Sequence, residues 1–113
     1  MSITEMPERE RAISEEYRIA AKEWVEAERI AHLLEETKSA TKAQMMLKFV
    51  DMPVSRAEMN VLASADWDEF IQKMVQARAD ANLARVRMKW VEMRFSEWMA
   101  GDANMRNERR MSR

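Results

Sequence analysis

From Trp67 to Trp98 the chain reads WDEFIQKMVQARADANLARVRMKWVEMRFSEW. Its residues Trp67, Phe70, Met74, Ala77, Ala81, Ala84, Met88, Val91, Phe95 and Trp98 recur at alternating steps of three and four. That spacing averages about 3.5 residues, the period that keeps one side of an α-helix turned toward a partner helix. Upstream, Ile13, Tyr17, Ala20, Trp24, Ala27, Ala31 and Leu34 form a second stripe with the same steps in mirror order. Run in opposite directions, the two helices bring Tyr17 to Trp98, Ala20 to Phe95, Trp24 to Val91, Ala27 to Met88, Ala31 to Ala84 and Leu34 to Ala81 without a slip in register. The fold class this predicts is all-α: a long, coiled-coil-like antiparallel helical hairpin with a short connecting helix, assembling into a helical bundle.

Residue size agrees with that register. Rings fill one end and alanines let the backbones approach in the middle, so facing positions can pack without voids. Continued inward, the register sets Thr41 against Met74, Met45 against Phe70 and Lys48 against Trp67. The polar run Glu35 to Lys42, EETKSATK, weakens the seam with Lys38 opposite Ala77. A kink, a mobile stretch or a lysine reaching out to water is expected there.

One helical domain is expected over residues 1–113, with a helix over about 7–49, a short helix over about 56–63, a helix over about 65–100 and a basic tail over 102–113. Pro7 suits a first helical turn, where its missing N–H would have no partner, and Glu8 and Glu10 suit the positive end of the dipole. Asp51-Met52-Pro53 ends the first long helix. Ser55-Arg56-Ala57-Glu58 has the spacing of a capping box, and Ser64 is placed to cap the next helix, with Asp66, Asp68 and Glu69 in its first turn. Gly101, the only glycine, fits the left-handed position just past a helix end.

Composition excludes several classes of chemistry. A chain 47% apolar and 35% charged is not disordered in type, and one glycine rules out a glycine-rich phosphate loop. There is no cysteine, hence no disulfide, thiol nucleophile or thiolate metal site. No run approaches the roughly 18 apolar residues of a membrane span, and the first residues lack a signal-peptide core, so a cytoplasmic location and no membrane partner are expected. His32 has Glu28, Glu35 and Glu36 within one turn, but it lies off the seam and faces only Asp80 as a further ligand. A surface histidine, no metal and no cofactor are expected. No serine or threonine has a base to activate it, and an enzyme is not expected.

Two features point to partners. Beside the main seam lies a second apolar row, Val25, Ile30 and Leu33 on the first helix and Ile71, Val75, Leu83, Val86, Trp90 and Met93 on the second. A two-helix seam cannot bury it, and the short helix around Met59, Val61 and Leu62 reaches only the closed end. The row therefore predicts a second layer, with Val25, Ile30, Leu33, Val86, Trp90 and Met93 as candidate contacts in a homo-oligomer, most simply a dimer, or with a heterologous protein. Charge is the other feature. Residues 1–36 carry ten acidic against five basic side chains and residues 76–113 nine basic against five acidic, which favours antiparallel pairing of the two arms. The alternative use of the basic arm is single-stranded nucleic acid, with Arg85, Arg87, Lys89, Arg106, Arg109 and Arg110 neutralising phosphates. The twelve methionines serve either as gap fillers in the core or as an adaptable surface.

The capped turn SRAEM (55–59), the helix start ASADW (63–67) and the run RMKWVEMRFSEW (87–98) together resemble small helical proteins encoded by bacteriophages and prophages, often among genes for DNA replication or recombination. The likeness covers Met52 onward. It implies a non-enzymatic helical adaptor or structural accessory, or an accessory of single-stranded nucleic acid, and it carries over no catalytic or binding residue.

Overall fold

The computed structural model describes residues 8–111. Four helices follow in order: α1 (Glu8–Glu36), α2 (Lys38–Met46) with a single 3-10 turn at Leu47–Phe49, α3 (Val54–Leu62) and α4 (Ala65–Met111). There is no strand among the described residues. The expected helix start at Pro7 lies outside them. The chain divides into two compact units, one taking in the chain through Trp24 and from Leu83 onward, the other Val25–Asn82.

In the first unit Ala20, Met88 and Val91 are buried together, with Ala21 and Trp24 packed against them. In the second the buried group is Ala31, Ala77 and Ala81, joined by Ala27 and Leu34. Trp24 shares a cluster with Val91 and Leu34 with Ala81, in keeping with antiparallel helices, but Ala20, expected opposite Phe95, is buried with Met88 and Val91, and Ala31 is buried with Ala77 and Ala81. The three–four rhythm along α4 is also the rhythm of burial. Trp67, Ala77, Ala81, Ala84, Met88 and Val91 are buried and Phe70, Met74, Phe95 and Trp98 half-buried.

Four expectations about helix ends are corrected. The first long helix does not run unbroken to Phe49, because Thr37 interrupts it at φ −92°, ψ 2°. The Thr37 hydroxyl donates to the Leu33 carbonyl at 2.8 Å, a carbonyl that also accepts the Thr37 backbone N–H at 3.0 Å. Such back-bonding bends helices, which accounts for a kink inside the polar run. Lys38 is exposed just after it.

The capping box at Ser55 is not formed. Pro53, with φ −57° and ψ 145°, is the residue before α3, so the helix starts at Val54 and Ser55 already lies in its first turn. Glu58, freed from capping, pairs with Lys42 of α2. α3 buries Ala57 and Val61, one turn apart, while Met59 and Leu62 stay exposed, so only Val61 of the expected trio is covered.

Ser64 does cap α4. Its hydroxyl accepts the Trp67 N–H at 3.2 Å and donates to the Val61 carbonyl at 2.6 Å, tying the end of α3 to the start of α4. Trp67 then stacks on Phe70 with ring centres 5.6 Å apart, and the Lys48 ammonium reaches Asp66 at 3.2 Å.

Gly101 ends nothing, and residues 102–111 are not a tail. Its φ is not positive, and α4 continues to Met111 with Asp102 and Arg106 paired at 2.7 Å one turn apart. Arg109 and Arg110 then occupy the last turn, the negative end of the helix dipole.

Two substitutions test these points. Ala31 and Ala81 are wholly covered. Ala81→Leu should overpack the seam and lower unfolding free energy by about 1–3 kcal/mol in urea titration; an unchanged midpoint would mean that the seam has slack. Gly101→Ala, whose methyl would meet nothing within 4 Å, should raise stability by about 0.4–1 kcal/mol. A loss instead would return Gly101 to a left-handed cap.

Candidate interaction surface

The charges on the two arms meet within each unit. In the second, Arg78 of α4 donates from Nε and Nη2 to both oxygens of Glu35 at 2.8 and 2.6 Å, and from Nη1 to Glu28 at 2.8 Å. Glu28 and Glu35 are two helical turns apart on α1, so one guanidinium spans them. Bidentate geometry of this kind is the strong form of an arginine–carboxylate pair. In the first unit Arg87 reaches Glu23 at 3.3 Å and Arg94 reaches Glu16 at 3.1 Å. The hydrogen bonds that Arg78 donates hold the Glu35 carboxyl below its ordinary range, and donating them to Glu35 and Glu28 raises Arg78 itself.

Trp90 sits between the two ion pairs of the first unit. The Arg94 guanidinium lies 4.8 Å from its ring centre, within the range of a cation–π contact. Beside Trp90 a shallow cleft is lined by Glu16, Ile19, Ala20, Glu23, Arg87 and Val91. Trp90 is nevertheless more than half open to solvent. Leu83, Val86, Trp90 and Met93 are 59%, 64%, 56% and 60% exposed. At 100° per residue these four fall within an arc of about 80°, centred about 150° round α4 from the Ala84–Met88–Val91 seam. They form one apolar stripe on the back of the helix, over three turns.

Val86, Trp90 and Met93 share the stripe, to which Leu83 belongs by the same three-residue step. Val25, Ile30 and Leu33 are exposed but lie in the other unit, and Val25 is about 140° round α1 from Ile30. Ile19, exposed beside Trp90, belongs to neither sequence stripe, and no periodic signal marks it.

The basic candidates are divided as well. Arg87 is taken by Glu23 and Arg106 by Asp102. Arg85 and Lys89 are exposed and make no ion pair among the described residues, but they lie roughly 180° round α4 from Arg87. Arg109 and Arg110 are exposed at the helix end. His32 is exposed, with Nε2 3.7 Å from Glu36, and no three metal-ligating side chains converge among the described residues. No described helix is long and apolar enough to cross a membrane.

No protein-family model, curated protein or solved structure matches the chain.

The Arg78 clamp makes a signed pH prediction. A carboxyl whose folded pKa is depressed adds stability that is fully present above its unfolded value, about 4.3, and is lost as pH falls through the folded value. Arg78→Gln should therefore lower stability at pH 7 and flatten its decline on acidification in parallel urea titrations. Equal slopes in the two proteins would show that the clamp does not couple to folding.

Proposed function

We propose that this chain is a non-enzymatic helical adaptor or structural accessory that associates with itself, most simply as a dimer, and that it belongs to the bacteriophage or prophage proteins it resembles. Its mechanism is to present a rigid helical surface. The observation that carries this reading is the exposed stripe Leu83, Val86, Trp90 and Met93. A contiguous apolar patch of this kind is often functional, and its side chains, each about three-fifths exposed, would gain further burial against a partner. The helix beneath it is held by the seam and by cross-helix ion pairs, so the stripe is presented on an ordered support.

The nucleic-acid reading has narrower support. It rests on Arg85, Lys89, Arg109 and Arg110, which are exposed and make no ion pair among the described residues. Binding of that kind would weaken steeply with added salt and be reduced by Arg109→Ala with Arg110→Ala.

Light scattering at several concentrations tests the main reading. The native chain should approach twice its 13.4 kDa mass as concentration rises, and Trp90→Glu, with helicity unchanged by circular dichroism, should stay at one chain. A native protein of single-chain mass throughout would remove self-association, and salt-sensitive binding of a labelled oligonucleotide would then favour the second reading.

A further inference from the structure

The stripe on the back of α4 has a spacing of three, four and three, so it reads the same from either end. A helix with such a stripe is complementary to an antiparallel copy of itself. Resting on the self-association proposed above, we infer that two copies pair antiparallel through this stripe about a two-fold axis level with Met88. Leu83 of each copy then packs on Met93 of the other, and Val86 on Trp90.

Size decides the direction. Antiparallel pairing sets the smallest of the four side chains, Val86, against the largest, Trp90, so each layer has a comparable volume and the two surfaces interdigitate. Parallel pairing would set Trp90 on Trp90 beside a layer of two valines, crowding one level and leaving a void at the next. The stripe also lies about 150° from the seam, so a second copy can approach without displacing α1.

The exposed area of the four side chains is roughly 500 Å² per copy, ~1,000 Å² for a pair, which is near the lower bound for a specific interface. The dimer is therefore reversible and comes apart on dilution. Lys89 lies beside the axis, where its copy approaches, and its long stem carries the ammonium out to water. Arg87, on the other flank, already has Glu23 for a partner. An isologous contact of this kind closes on itself and leaves no second copy of the stripe exposed to propagate a filament.

The chain has no cysteine, so introduced thiols report without interference. In Leu83→Cys/Met93→Cys the two thiols of one helix are about 15 Å apart, beyond disulfide reach, so any bond that forms joins two copies. After oxidation and trypsin digestion, mass mapping should find the peptide containing position 83 linked to that containing position 93. A second measurement leaves the stripe native. Spin labels at Arg109→Cys should lie on the order of 60 Å apart in the antiparallel dimer, whereas a parallel one would bring them within about 20 Å.

Links of 83 to 83 and 93 to 93, or closely spaced labels, would overturn the antiparallel register. A dimer by light scattering whose copies never join 83 to 93 would move the contact to another surface. If the cysteine pair abolishes a dimer that the native chain forms, the label distance on the native stripe decides. A native chain that stays at single-chain mass fails at the earlier step, the self-association itself, so the two failures are told apart.

Discussion

The structure depends on alanine being the residue at the middle of the seam. Ala31 and Ala81 are wholly covered and Ala77 nearly so, which a side chain this small achieves only when the facing helix comes very near. That approach removes backbone as well as side-chain surface from water and leaves no room for a larger group. It also brings the two helices within reach of one another's charged side chains. Arg78 can span Glu28 and Glu35 because the helices beneath are held by residues that keep them close.

The ion pairs give the charge asymmetry of the sequence its meaning. On the acidic first arm and the basic second arm, Arg78, Arg87 and Arg94 each face α1 carboxylates within their own unit. Exposed pairs of this kind add little individually, about 0–1 kcal/mol, but they penalise wrong registers and directions by bringing like charges together. Their contribution is therefore to the specificity of the pairing, while burial along the seam supplies most of its free energy. The methionines divide in the same spirit: Met88 is buried and Met45 and Met74 half-buried along the seam, while Met93 is exposed on the opposite side of α4.

A helix has only one circumference, and α4 uses both sides of it. One side is spent on the seam, with small residues at its centre and rings toward its ends. The other carries Leu83, Val86, Trp90 and Met93, residues that would form an unremarkable core if something covered them. Sequence alone groups these with Val25, Ile30 and Leu33, because all fall outside the seam. Helical geometry shows that the four on α4 share one stripe, which departure from the seam does not by itself establish. The stripe on α4 is legible once each residue is given its angle; Ile19, beside Trp90, is not, because a single residue has no period.

Periodicity and caps were readable from the chain: the all-α class, the antiparallel seam and the start of α4 at Ser64. These rest on interactions that repeat along a helix or act within one turn, so they leave a pattern in residue order. The polar run Glu35 to Lys42 already marked the level of the break at Thr37, whereas the start of α3 after Pro53 and the pairing of Glu58 with Lys42 needed the folded chain. In each case a local hydrogen bond competes with another partner at similar free energy, and nearness in space settles the outcome. Gly101 is the counterexample on a local scale. A glycine can end a helix or sit within one, and here strong helix formers on both sides and the Asp102–Arg106 pair carry α4 through it. The arginines on α4 are the same lesson in charge: residue order counts them, but only the packed helices determine which carboxylates they meet.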